Sequence, residues 1–132
     1  MKTLLTISTL VFTLVFSSSS FAEWTKVTAS NDGTMYVDFE RIREHDGYVY
    51  YWRLDDHLKP NKYGRLSEEL YVQADCKLFR QKFLYVTHHK EPMGRGTPFV
   101  SDNTPDKDWR YPSPNTLAET TLKSVCERPV IF

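Results

Sequence analysis

The chain has 132 residues, and its 17 basic and 17 acidic side chains leave no formal net charge. This balance excludes a molecule that is drawn as a whole to nucleic acid or to an acidic membrane surface, so a charged partner would have to meet a local patch. Eight tyrosines, eight phenylalanines and three tryptophans are many for this length, and such side chains favour the pleated, half-buried surface of a sheet.

Residues 1–22 have the pattern of a secretory signal peptide. An apolar run over 4–16 is followed by Ser20 and Ala22, the small residues that signal peptidase needs just before its cleavage site. The run is shorter than the roughly 20 apolar residues that span a bilayer, which disfavours a retained membrane anchor. We therefore predict cleavage before Glu23 and a single mature domain over 23–132. No cysteine stands at the cut, so the exported protein is expected to carry no lipid anchor.

Alternating and aromatic segments predict an antiparallel sheet. Strands are predicted at 23–28, 34–38, 48–54, 70–76 and 79–87, with short strands at 99–100 and 109–111 and one helical turn at 39–43. The 48–54 strand places Tyr48, Tyr50, Trp52 and Leu54 on one face and Val49, Tyr51 and Arg53 on the other. One of these faces must be core, and we expect Tyr51 to lie on the other, where it would line a recognition surface. In the 79–87 strand, Phe79, Phe83 and Tyr85 are expected on one face.

The segment PSPNTLAETTLKSVC, 112–126, predicts a helix. Ser113 is expected to cap it and Pro114 to take its first position, where the missing N–H of proline has no helical partner to lose. An apolar stripe then recurs at helical spacing, formed by Ala118, Leu122, Val125 and Cys126. In the 70–76 strand, Cys76 shares the apolar face of Leu70, Val72 and Ala74. We therefore expect the helix to pack on that face of the sheet, in an α+β fold.

The chain contains two cysteines, Cys76 and Cys126. In an exported protein their pairing in a disulfide is expected, because the compartment is oxidising. Closing a loop of 50 positions would stabilise the fold by about 4 kcal/mol through the lost entropy of the unfolded chain. Two buried free thiols are the alternative, and a metal site from two such distant cysteines is disfavoured.

The sequence offers little for catalysis or metal binding. His88 and His89 are adjacent in sequence, so in a strand their imidazoles would point to opposite faces, and surface histidines are favoured over an axial haem or metal contact. Asp102, Asp106 and Asp108 lack the glycine and the final glutamate of a calcium loop, so a solvated loop is favoured. The sequence has no nucleophile motif or phosphate-binding loop, and we expect no enzymatic activity.

A basic cluster is the remaining candidate for a binding site. Lys59, Lys62 and Arg65 crowd one predicted loop between two strands, with Tyr63 among them. Such a cluster could meet an acidic partner or a sulfated polysaccharide. The alternative is an ordinary solvated hairpin tip.

Several short motifs follow one another along the chain. They are Trp24-x-x-Val27, Tyr36-Val37-Asp38 with Ile42, the aromatic strand, Asp75-Cys76 before a basic and aromatic run, Gly94-Arg95-Gly96, and PSPNTL ahead of Val125-Cys126. Together they resemble the surface-adhesin E family of bacterial secreted proteins, over essentially the whole mature chain.

The resemblance implies a six-stranded antiparallel sheet with a C-terminal helix tied to it by the disulfide. It also implies binding of a host extracellular-matrix or serum protein such as vitronectin or laminin, and it allows haem binding and a homodimer. The family's basic loop before the first cysteine strand takes part in protein binding, and Lys62 and Arg65 are the nearest matching positions here. The family's adhesin is a lipoprotein, whereas this chain has no lipid-acceptor cysteine, so periplasmic and surface locations both stay open.

The leading interpretation is therefore a non-enzymatic, periplasmic or secreted binding domain that uses the basic loop and an aromatic sheet face. A small-ligand module that binds haem through a tyrosine or through His88 or His89 is the second interpretation. A structural or assembly factor of the cell envelope is the third.

Overall fold

The computed structural model describes residues 22–128, which form an antiparallel sheet and a helix. The strands are β1 Thr25–Ala29, β2 Gly33–Val37, β3 Arg43–His45, β4 Tyr48–His57, β5 Ser67–Asp75, β6 Arg80–His89 and β7 Val100–Asp102. The helix α1 spans Leu117–Cys126, and single 3-10 turns lie at Phe39–Arg41 and Pro92–Gly94. The α+β prediction is confirmed. The predicted signal peptide, apart from Ala22, lies outside the described residues.

The sheet is a continuous antiparallel path of six strands with one short strand added at its side. The path runs β1-β2-β4-β5-β6-β7, which confirms the expected number of strands. The additional strand, β3, pairs with positions 48–50 of β4, whereas β2 pairs with positions 53–57. The sequence did not predict β3 because its three residues are all polar and exposed.

β4 continues to His57, beyond the predicted end at Leu54. Asp55 was expected in a polar loop, but two nitrogens of the Arg53 guanidinium each donate to it at 2.8 Å. The side chains of Arg53 and Asp55 are only 5% and 13% exposed. An unpaired charge so deeply buried would be strongly destabilising, and the pairing is what allows both residues to stay in the strand.

The helix begins at Leu117. The prediction that Ser113 caps it and Pro114 takes its first position is therefore wrong. Asn115 has a φ of 63°, in the left-handed region, and a right-handed helix cannot continue through such a residue. Thr116 is the N-cap instead, because its hydroxyl oxygen accepts a hydrogen bond from the Glu119 amide at 3.2 Å. The Ser113 carbonyl accepts from the Thr116 hydroxyl at 2.7 Å and so helps to orient the true cap.

The hydrophobic core lies between α1 and one face of the sheet. Its buried apolar side chains are Val37, Val49, Tyr51, Leu70, Val72, Ala74, Leu122 and Val125. The last two come from the helix and are fully buried. Each large apolar side chain removed from water contributes about 1.5–3 kcal/mol, so this layer is the main source of stability.

The prediction that Tyr51 lies on the open face is wrong. Tyr51 is 0% exposed and pairs across the sheet with Val72, on the face that α1 covers. Its hydroxyl donates to Gln81 at 3.3 Å, and burial raises the pKa of Tyr51 to about 12. The open face of β4 therefore carries the alternate residues, among them Tyr50 and Trp52.

A bulge in β6 also changes which side chains share a face. Tyr71 pairs with Tyr85, and the next residue, Val72, pairs with Phe83. The extra residue between them moves Phe83 to the helix face and Tyr85 to the open face. The prediction that both aromatic side chains lie on one face is therefore wrong.

The predicted strand at 109–111 is also wrong, since this segment makes a single bridge between Arg110 and Gln81. The segment is held beside β6 by Asp106, whose carboxylate accepts from the Phe83 amide at 2.9 Å and from Arg110 Nε at 2.5 Å. The hydrogen bond from Arg110 holds the pKa of Asp106 below its usual value. Asp106 is therefore an anchor of this segment, where a solvated loop carboxylate was expected.

The predicted disulfide is confirmed, with the Cα atoms of Cys76 and Cys126 5.5 Å apart. Cys76 directly follows β5, and Cys126 is the last residue of α1. The bond therefore ties the end of the helix to the end of a central strand.

No helix within residues 22–128 has both the length and the apolar character needed to cross a membrane.

Replacing both Cys76 and Cys126 by serine is expected to lower the free energy of unfolding by about 4 kcal/mol, because a loop of 50 positions is released in the unfolded chain. The measurement is the urea midpoint of the oxidised protein and of the double variant. Dithiothreitol should lower the midpoint of the wild-type protein and leave that of the double variant unchanged. An equal midpoint for oxidised wild type and double variant would contradict the role given to the bond.

Candidate functional site

The open face of the sheet carries a row of stacked rings with an arginine among them. We call Trp24, Arg41, Trp52 and Tyr71 the arginine ladder. The Arg41 guanidinium carbon lies 5.9 Å from the centre of the Trp24 ring and 5.3 Å from that of Trp52. The Trp52 and Tyr71 rings, on neighbouring strands, stack with their centres 4.9 Å apart. The cation thus lies against two indole rings, an arrangement stabilised by the electrostatic attraction of the ring faces for a positive charge.

Asp38 holds the arginine in this position. One oxygen of its carboxylate accepts from Arg41 Nε at 2.6 Å, and its side chain is only 2% exposed. The other oxygen accepts from the Glu40 amide at 3.1 Å, so Asp38 also caps the 3-10 turn Phe39–Arg41. The turn was predicted from the sequence but the ladder was not, because the spacing of Asp38 and Arg41 gives no indication of which rings lie nearby.

Two more tyrosines extend the aromatic row. Tyr50 lies 6.2 Å from Tyr71, and Tyr85 meets Trp52 edge-on at 6.2 Å, measured between ring centres. The Tyr50 hydroxyl accepts from the Gln73 amide at 3.1 Å. Beside the row lies an open groove of about 480 Å³, lined by Glu40, Arg41, Ile42, Arg43, Trp52 and Tyr71. The face therefore offers aromatic and arginine side chains next to a concave surface.

A second cluster lies at the loop between β4 and β5. We call Lys62, Tyr63, Arg65, Lys90 and Phe99 the loop patch. The charged groups of Lys62 and Arg65 each lie 4.9 Å from the centre of the Tyr63 ring, which is 60% exposed. Arg65 and Lys90 lie 5.9 Å and 5.3 Å from the Phe99 ring. Within residues 22–128, none of these three cations forms an ion pair with a carboxylate.

The loop that carries the patch is shaped by its own hydrogen bonds. The side-chain oxygen of Asn61 accepts from the Tyr63 amide at 2.9 Å and from the Arg65 amide at 3.0 Å. Gly64 has a φ of 74°, which favours glycine, and its amide donates to the Asn61 carbonyl at 2.9 Å. The patch is therefore presented on a defined turn.

Among the three basic residues singled out from the sequence, the structure brings two together. Lys62 and Arg65 share the Tyr63 ring, whereas Lys59 lines a separate groove beside Asn31 and Asp32. Lys90 and Phe99, which complete the patch, were not predicted. They come from beyond β6 in the sequence, and only the pairing of β5 with β6 brings them near the loop.

His88 and His89 lie at the edge of the loop patch, since the His88 carbonyl accepts from the Phe99 amide at 3.1 Å and Lys90 directly follows His89. His88 and His89 occupy opposite faces, as predicted. Their partners in β5 are Glu68 and Ser67, consecutive residues whose side chains point to opposite sides of the sheet. His88 Nδ1 and His57 Nε2 lie 3.4 Å and 3.8 Å from the same Glu68 oxygen, a grouping that only the register of three strands could reveal. Within the part of the chain that the structure describes, no three such groups are placed to hold a metal ion.

The expectation of surface histidines is wrong for His89, which is 3% exposed and has one ring nitrogen 3.0 Å from the Thr87 hydroxyl. Haem binding through His88 or His89 stays a prediction.

Comparison with known proteins gives two matches of different kinds. Residues 24–127 match the family model described as surface-adhesin protein E. Among solved structures, crystal form II of Haemophilus influenzae protein E superimposes with a TM-score of 0.55 at 14% sequence identity, covering 76% of this chain and 91% of that chain. At this identity the likeness shows a shared fold. Comparison with curated proteins gives no match.

Glu69 lies where the 3-10 turn Pro92–Gly94 packs against the sheet. Partial burial raises the pKa of its carboxyl above the usual value, and Gly94 lies so close that a Cβ there would collide with the carboxylate. A raised carboxyl pKa means that the charged form destabilises the fold at neutral pH, and that this cost disappears as pH falls below the unfolded value of about 4.3.

Glu69→Gln is therefore expected to raise the urea midpoint at pH 7, and the gain should disappear near pH 4. Urea unfolding of both proteins at the two pH values measures the difference. An unchanged or lower midpoint for the variant at pH 7 would contradict the burial of a charged Glu69.

Proposed function

The chain belongs to the surface-adhesin protein E family, and from this membership we propose that it is an exported, non-enzymatic binding protein. Its mature form would be the single domain over 23–132. The partner we propose is a protein of the host extracellular matrix or serum, with vitronectin and laminin as the first candidates. Recognition would use the loop patch, with the arginine ladder as a second contact surface.

The observation that carries this proposal is the composition of the loop patch. Tyrosine, tryptophan and arginine are the side chains that most often dominate the energy of protein interfaces. Here Tyr63 is largely exposed, and three cations lie around it and Phe99 without carboxylate partners in the described part of the chain. Carboxylates of a partner would pair with these cations without first breaking an ion pair among the described residues.

Local charge also matters because the molecule as a whole is neutral. Without a net field to attract or repel a partner, the loop patch would determine the orientation in which an acidic surface approaches. The hydrogen bonds of Asn61 hold the loop in one conformation, so little conformational entropy would be lost on binding.

Export is part of the same proposal. The sequence of residues 1–22 supports a cleaved signal peptide. The absence of a cysteine at the predicted cut supports a protein without a lipid anchor. Fractionation of cells into periplasm, outer membrane and medium would distinguish an adhesin at the surface from a factor that stays inside the envelope.

The double variant Lys62→Ala/Arg65→Ala is expected to bind immobilised vitronectin or laminin about tenfold more weakly than the wild type, a loss of about 1.4 kcal/mol. Two unpaired cations of the patch are removed, so the affinity should also fall less steeply with added salt. Surface plasmon resonance across a salt series measures both effects.

Lys59→Ala is the control, since it removes one positive charge from the same loop but outside the patch. We expect its affinity to stay within about twofold of the wild type. Absence of saturable binding by the wild type, or equal losses for Lys59→Ala and the double variant, would overturn the proposal.

A further inference from the structure

The first residue after the predicted cleavage site lies at a buried carboxylate. The backbone nitrogen of Glu23 donates to Asp38 Oδ2 at 3.2 Å. The same oxygen accepts from Arg41 Nε at 2.6 Å, and Arg41 lies between Trp24 and Trp52 in the arginine ladder. The start of the mature chain is therefore one hydrogen bond away from the group that positions the ladder.

The surroundings of this nitrogen are acidic. Asp38 has a side chain that is 2% exposed, and a carboxylate so buried must be matched by donors or positive charge. Hydrogen bonding to the Glu23 carboxyl and its negative charge raise the pKa of the exposed Glu40 carboxyl. Arg41 is the cation that contacts Asp38. The nitrogen therefore faces a buried carboxylate in an acidic part of the chain, which favours a second positive charge there.

We propose that signal cleavage supplies this charge: the new α-ammonium group of Glu23 forms an ion pair with the buried carboxylate of Asp38 and completes the support of the arginine ladder. Signal peptidase adds water across the Ala22–Glu23 peptide bond. The Ala22 carbonyl carbon takes the hydroxyl and becomes a carboxylate, and the Glu23 nitrogen takes the protons and becomes an ammonium. A neutral donor with one N–H is thereby replaced by a charged donor with three.

The inference rests on the processing step of the proposed function and adds a role for that step. Before cleavage, Asp38 has Arg41 as its cationic partner and a neutral amide as its second donor on Oδ2. After cleavage it lies between two cations, and such charge-assisted hydrogen bonds are stronger than those to a neutral amide. The mature protein therefore holds Arg41 and Trp24 more firmly than the precursor does.

The sign of the pH dependence follows from the ion pair. A free α-amino group has a pKa of about 7.7, and pairing with Asp38 raises it in the folded protein. The resulting stability is fully present below the unfolded pKa and is lost as pH rises through the folded one. Asp38 accepts from the nitrogen, and Arg41 donates to the same Asp38 oxygen. The other titratable groups nearby are the carboxyl group of Glu23 itself and that of Glu40, which interact with each other.

The test compares two mature proteins with different amino termini. The full-length chain and a variant with one alanine inserted between Ala22 and Glu23 are each expressed and exported. Signal peptidase still has Ser20 and Ala22 at its preferred positions, so the variant should mature with one extra residue and with a neutral amide at Glu23. Intact mass establishes each amino terminus.

At pH 6.5 we expect the chain that starts at Glu23 to melt roughly 4 °C or more above the extended one. The difference should disappear near pH 10.5, where the amine is uncharged. The Asp38→Asn change should abolish the difference at both pH values. If that variant does not fold, the pH comparison of the two amino termini remains sufficient.

Equal melting temperatures at pH 6.5 would overturn the inference, as would a mature chain whose mass places its start elsewhere than Glu23. Neither result depends on a partner. Loss of the ion pair would leave the loop patch intact, and absence of vitronectin or laminin binding would leave the melting difference in place.

Discussion

The architecture depends on the covering of one face of the sheet by one helix, held there by the bond between Cys76 and Cys126. A sheet and a helix bury their apolar sides against each other, and the described residues supply no second helix for the other face. In a domain this small the core has limited area, so the constraint that the disulfide places on the unfolded chain is a large part of the stability.

Both surface clusters share one feature: cations lie against aromatic rings outside the core. Large aromatic rings exposed on a sheet or a loop would be poorly hydrated, and here cations lie against them. Arg41 covers Trp52 on the sheet, while Lys62 and Arg65 cover Tyr63 on the loop. The charged groups themselves lie over the rings, where the electrostatic attraction of the ring faces for positive charge stabilises the contact. The same arrangement that keeps these rings soluble gives each surface the aromatic and basic composition of a protein interface.

Asp38 connects the start of the domain with the open face. It directly follows β2, caps the 3-10 turn and accepts hydrogen bonds from Glu23 and Arg41. One buried carboxylate therefore ties the first described residues to β2 and to the 3-10 turn, whose Phe39 packs against the core. Such a group is stable only when its donors are all present, so the proposed ammonium group of Glu23 would bear directly on the geometry of the arginine ladder.

The sequence by itself determined the features that arise from local spacing: the strands from alternation, the apolar stripe of the helix, and the disulfide from two cysteines in an exported chain. It could not decide which face of β4 is core, because Tyr51 and Trp52 are both large and aromatic. The tertiary structure decided it, since the register of Tyr51 with Val72 places Tyr51 on the face of Cys76 and under the helix. Likewise Lys90 and Phe99 join Lys62 and Arg65 only through strand pairing. Register depends on the summed burial of whole strands, which no local pattern contains.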